Sequence, residues 1–93
     1  MTLHLVLDYK WFDMIATGVK LEEYREMTDY WKKRIWDKRG EIDSVCFHRG
    51  YSPVTITRRV FAIVEDAGLE EWGAEPLTLY YVIKLTTGGD DQT

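Results

Sequence analysis

Ninety-three residues with a formal net charge of −4 support one hydrophobic core and no second domain, and the acidic balance argues against indiscriminate adhesion to nucleic acid. The composition is 45% apolar with four Trp and six Tyr, enough for a small core, while the single Cys excludes an internal disulfide. No apolar run nears the roughly 18 residues of a bilayer span, and Met1-Thr2-Leu3-His4 lacks the start of a signal peptide, so a cytoplasmic protein without membrane contact is expected.

Residues 2–7 alternate, with Leu3, Leu5 and Leu7 in one phase and His4 and Val6 in the other, which predicts a first strand. Asp8 suits a helix N-cap, and Leu7 and Phe12 have the spacing of a hydrophobic staple. A helix from Tyr9 to about Thr17 would bury Phe12, Ile15 and Ala16, with Gly18 as its left-handed C′ residue. Residues 21–27 read as a short strand, with Leu21, Glu23 and Arg25 in one phase and Glu22, Tyr24 and Glu26 in the other. Thr28 can cap a second helix over 29–38, in which Trp31 and Ile35 pair before Arg39-Gly40 ends it.

Residues 44–48 form a third strand, followed by the turn Gly50-Tyr51-Ser52-Pro53. The longest strand runs over 54–65, with Val54, Ile56, Val60, Ala62 and Val64 in one phase. Arg58 falls in that apolar phase too, unless a β-bulge at Arg58-Arg59 turns it outward. A loop over 68–76 carries a short turn at Leu69-Glu70-Glu71-Trp72-Gly73, and residues 77–85 close the fold. Residues 1–86 are therefore expected to form one α+β domain, a small mixed β-barrel with two short helices, and residues 87–93 a disordered acidic tail.

Charge is unevenly distributed. Up to Val64 there are eleven Lys and Arg against nine Asp and Glu; from Glu65 onward Lys84 faces seven acids. A mildly basic body with an acidic end can hold a phosphate chain on one face, and it is equally an ordinary soluble surface.

The segment Gly18-Val19-Lys20-Leu21-Glu22-Glu23-Tyr24-Arg25 is the most informative. It sets a cation just after a helix end, then an acid and a second cation on one side of a strand. If that side faces the barrel, Glu23 and Arg25 need partners. The pair either recognises a polar ring or a phosphate or is a structural ion pair, and by spacing alone the structural role is the commoner.

Gly18-x-Lys20-x-x-Glu23-x-Arg25 resembles the GxKxxExR signature of the ASCH domain, a PUA-like fold. The helix around Trp11-Phe12-Asp13-x-Ile15, the segment Phe47-His48-Arg49-Gly50-Tyr51 and the closing Tyr80-Tyr81-Val82-Ile83 are similar to that family too, and the resemblance runs from about Leu3 to Leu85. It implies a PUA-like β-barrel, a stand-alone protein of bacterial or phage type, and a cleft with Lys20, Glu23 and Arg25 that binds RNA or a modified nucleoside or nucleotide. Some ASCH-like proteins hydrolyse the amide of N4-acetylcytidine with a lysine, a threonine and a distant glutamate. This chain keeps Lys20, has Glu23 at the threonine's place, and offers Glu65, Glu70 and Glu71 only as nearby acids. Lys20 and Glu23 are the catalytic candidates if it is an amidohydrolase. A non-catalytic protein-interaction domain is the remaining alternative.

Further binding candidates are Arg49 and Tyr51 with Ser52 in a loop, and Arg58 in the long strand. In the second helix, Lys32, Lys33 and Arg39 flank Trp36, which either stacks on a base within a basic face or tucks onto the core. Cys46-x-His48 lacks two further ligands, so no metal site and no cofactor are expected, and Cys46 reads as an inert core thiol.

Overall fold

A computed structural model of the chain describes residues 1–87; residues 88–93, most of the expected acidic tail, lie outside the described residues. The elements are strand β1 (Thr2–Leu7), helix α1 (Tyr9–Ala16), β2 (Glu22–Glu26), α2 (Asp29–Trp31) continuing into a π-helical turn (Lys32–Trp36), β3 (Ser44–Arg49), β4 (Thr55–Ala67), a 3₁₀ turn (Glu70–Trp72) and β5 (Leu79–Leu85). The five strands make one curled mixed sheet in the order β1-β3-β4-β5-β2. β1 runs parallel to β3, and the other pairings are antiparallel. This is an α+β fold with a half-barrel sheet and two short helices. No helix among the described residues is long and apolar enough to cross a membrane.

Alternation along β1 does what its sequence predicts: Leu3, Leu5 and Leu7 are buried, and the intervening residues are exposed. The buried set joins Phe12 and Ile15 from α1, Ile35 and Ile42, Val45 and Phe47 from β3, and Tyr81, Ile83 and Leu85 from β5 in the main core. Asp8 occupies the N-cap of α1, but its side chain makes no capping bond. Leu7 and Phe12, the residues with staple spacing, are both buried in the main core.

The C-terminus of α1 ends in a Schellman arrangement that matters for the site. Gly18 sits at φ 82°, its N–H donates to Ile15 O, and Val19 N–H donates to Met14 O at 2.9 Å. Lys20 N–H also reaches Met14 O, so the chain folds back over the helix end and delivers the Lys20 side chain inward.

The second helix departs from a regular α-helix. Thr28 caps it as expected, accepting from Trp31 N–H at 3.2 Å, but Asp37 N–H then donates to Lys32 O, an i to i+5 bond. The wider π turn sets Trp31, Ile35 and Trp36 together against the main core. Trp36 thus takes the core alternative, stacked on Tyr81 with centroids 5.6 Å apart and Arg39 4.0 Å above its ring.

β4 carries a bulge, though not at Arg58-Arg59. Register shifts between Val60, opposite Leu85, and Ala62, opposite Lys84, leaving Phe61 as the extra residue. The bulge inverts the pattern along the strand. Ile56 and Val60 pack on the main core with Ile63, whereas Val64 joins Ala74, Tyr80, Val82 and Tyr24 in a second cluster on the other side of the sheet. The single apolar phase from Val54 to Val64 is therefore corrected. With no bulge at Arg58-Arg59, Arg58 keeps its inner phase opposite Val45, and its guanidinium approaches Ala16 O, at the C-terminal end of α1, at 3.5 Å.

Candidate functional site

Lys20 and Glu23 are the buried charged residues among those described, 1% and 6% exposed. An ammonium in such a place needs all three of its donors satisfied. Lys20 Nζ donates to Glu22 O and to Trp72 O and lies 3.2 Å from Glu23 Oε1. Tyr24 and Trp11 flank it, with ring centroids 4.8 and 5.8 Å from Nζ. Burial holds the lysine below its ordinary pKa, while the Glu23 carboxylate pulls the other way.

Glu23 links the two cations. Its Oε1 faces Lys20, and its Oε2 accepts from Arg25 Nε at 3.0 Å and pairs with Arg25 Nη2 at 2.8 Å. Arg25 Nη2 also donates to Val6 O, and the guanidinium lies 4.9 Å from the centroid of the Trp31 ring. These contacts engage Nε and Nη2, and Nη1 takes part in none of them.

Above this network opens a cleft of about 800 Å³ lined by Glu23, Arg25, Asp8, Glu26 and Glu75 and by Trp11, Tyr24, Trp31, Trp72 and Tyr80. Lys20 does not line it; the amine lies beneath the floor. A second groove, lined by Tyr9, Gly50, Tyr51 and Ser52, shares Val6, Leu7, Asp8 and Arg25 with the first. Arg25 therefore stands where the two meet.

The 3₁₀ turn fixes one wall. Gly73 ends it at φ 104°, and a Cβ there would lie 3.1 Å from the Trp11 indole, so a side chain at this left-handed position would be strained and would press on the ring. The same turn aims Trp72 O at Lys20. Tyr24 OH donates to Glu22 Oε1 at 2.8 Å and accepts from Leu69 N–H, which ties the turn to β2. Desolvation raises the Tyr24 phenol above the ordinary tyrosine range.

Of the residues singled out from sequence, Lys20, Glu23 and Arg25 converge in one network. Tyr51 is 98% exposed on the second groove. Arg49 forms a two-bond pair with Asp13 at 2.9 and 3.0 Å and lies 4.0 Å from the Tyr9 ring centroid. Arg58 lines neither groove. Sequence reasoning missed Trp11, Trp31, Trp72 and Tyr80 as cleft walls. They come from α1, α2, the 3₁₀ turn and β5, and only their aromatic type hinted at such a role. Comparison with family models, curated proteins and solved structures gives no match.

Proposed function

We propose that the chain is a PUA-like, ASCH-type module that binds RNA or a modified nucleoside or nucleotide, with the aromatic-walled cleft taking the base. The observation that carries this is the Arg25 guanidinium, held by Glu23 and Val6 O against the Trp31 ring in a cleft that five aromatic residues line. Unstacked bases are gripped by aromatic faces and guanidinium planes and read by fixed polar groups.

The charge of the lining refines the ligand. Asp8, Glu23, Glu26 and Glu75 face a single Arg25 there, a poor environment for phosphate and a good one for the donor edge of a base. Any phosphate is better placed along the second groove, near Tyr51 and Ser52. The amidohydrolase alternative has less support, because Lys20 is spent on three acceptors below the floor and a nucleophile must reach its substrate.

Tryptophan-fluorescence titration with nucleosides, their 5′-monophosphates and short single-stranded RNA tests the proposal. Saturable quenching by at least one nucleoside is expected, with RNA binding that weakens as salt rises. Trp31→Ala should weaken nucleoside binding by about 5- to 100-fold, the equivalent of one lost stacking contact. Absence of saturation with every nucleoside and RNA would leave a structural ion network in an interaction domain.

A further inference from the structure

The outer face of the β1–β3 pair gathers chemistry that the cleft does not use. Parallel register sets His4 beside Cys46 and Val6 beside His48. Because Leu3, Leu5, Val45 and Phe47 point into the core, residues 4, 46 and 48 share the opposite face. His4 Nδ1 lies 3.0 Å from His48 Nε2, and Cys46 Sγ lies 3.8 Å from that same nitrogen. All three donor atoms fall within 4.8 Å of one another.

We propose that His4, Cys46 and His48 form a binding site for a thiophilic divalent cation of the zinc class, with its fourth position open to water or an external ligand. Zinc–nitrogen bonds of about 2.0–2.1 Å and zinc–sulfur bonds of about 2.3 Å imply tetrahedral edges of about 3.3 Å between nitrogens and about 3.6 Å between nitrogen and sulfur. The two separations to His48 Nε2, 3.0 and 3.8 Å, lie close to those edges, and the third, between His4 and Cys46, is within 4.8 Å, so a cation draws the His4 ring and the Cys46 sulfur together. The three residues stand on two strands hydrogen-bonded to each other, a more rigid mounting than a loop.

Two imidazoles and a thiolate suit zinc and other borderline or soft ions, and they disfavour magnesium and calcium, which take oxygen. His4 is exposed, and Cys46 and His48 are half-buried, so the ion has a path in and a face left for a fourth ligand. Binding displaces the Cys46 thiol proton as the sulfur–metal bond forms, while each imidazole binds through a nitrogen lone pair. The hydrogen bond between the two rings gives way to two nitrogen–metal bonds. The sequence shows only Cys46-x-His48; the third ligand comes from a strand 42 residues earlier through the parallel pairing. None of the three lines either groove, so the site stands apart from the nucleoside proposal.

Tag-free, chelator-stripped full-length protein titrated with Co²⁺ and then Zn²⁺ provides the test. Expected are a near-ultraviolet thiolate-to-cobalt charge-transfer band, visible bands of tetrahedral intensity, release of at least one proton per ion, and displacement by equimolar Zn²⁺ but not by excess Mg²⁺. Cys46→Ser should abolish the charge-transfer band. His4→Ala and His48→Ala should each weaken binding by more than about tenfold, a loss seen even when only a supporting outer-shell group is removed. Far-ultraviolet circular dichroism of each variant checks that the sheet is intact. No charge-transfer band at millimolar Co²⁺, a band that survives both histidine variants, or displacement by Mg²⁺ would each overturn the site.

Discussion

Arg25 Nη2 donates to Val6 O at 3.0 Å, so one side chain spans the gap between β2 and β1, the two edge strands of the sheet. The half-barrel has no backbone ladder there. Its closure rests on a guanidinium whose other contacts are the Glu23 carboxylate and the Trp31 face, which also lock its orientation at the cleft.

Arg25→Ala should therefore loosen the seam and leave Glu23 with one cation. A stability loss of about 1–3 kcal/mol is expected in urea unfolding, the range for removing a charged hydrogen-bond partner from a half-buried place. Arg25→Lys restores charge but not the planar fork, so it should recover less than half of that loss. Full recovery by lysine would mean that only the charge matters.

The turn wall is open to a backbone test. Gly73 adopts φ 104° and faces the Trp11 indole; Gly73→Ala adds left-handed strain and a steric push on that ring. A cost of about 1–3 kcal/mol is expected, with a shift in tryptophan emission as Trp11 moves. An unchanged unfolding midpoint would show that the turn relaxes freely.

How far the sequence could be read depends on whether the controlling interaction is local. The alternation of Leu3, Leu5 and Leu7, the Gly18 helix end and the Thr28 cap are set by neighbours within a few positions, and they appear as expected. The convergence of Lys20, Glu23 and Arg25 was equally visible, because it follows from one helix end and the two-residue period of one strand. The bulge at Phe61 was not, since it is fixed by the fit of β4 to β5. Nor was the π turn, which is settled by packing Trp31, Ile35 and Trp36 against the core at once. The cleft walls and the closeness of His4 to Cys46 depend on strand order, and a single sequence does not print strand order.

Two groups at the site give opposite alkaline trends. Lys20 is held below its ordinary value by burial. Between its folded pKa and the unfolded value of about 10.4 the unfolded chain binds the extra proton, so this group makes stability rise with pH. Tyr24 is held above its ordinary value. Above the unfolded value of about 10 the folded state retains the proton, so this group makes stability fall. Denaturant midpoints measured across the alkaline range should lose the rise in Lys20→Met and the fall in Tyr24→Phe. An identical alkaline decline in Tyr24→Phe would remove the tyrosine from the account.

Glu23 separates charge from shape. Both of its oxygens are occupied, Oε1 by Lys20 and Oε2 by Arg25, so Glu23→Gln keeps the volume but turns an amide N–H toward a cation. Breaking a buried ion pair in this way typically costs about 3–5 kcal/mol, and the lower end is expected here because Arg25 retains Val6 O and the Trp31 face. In the double variant Glu23→Gln with Arg25→Ala, one of the two mismatched cations is gone. The combined loss should fall short of the sum of the single losses by about 1–2 kcal/mol, within the coupling expected of contacting residues. Strict additivity would mean that the two side chains are energetically independent, and Arg25 would then owe its orientation to Val6 and Trp31 alone.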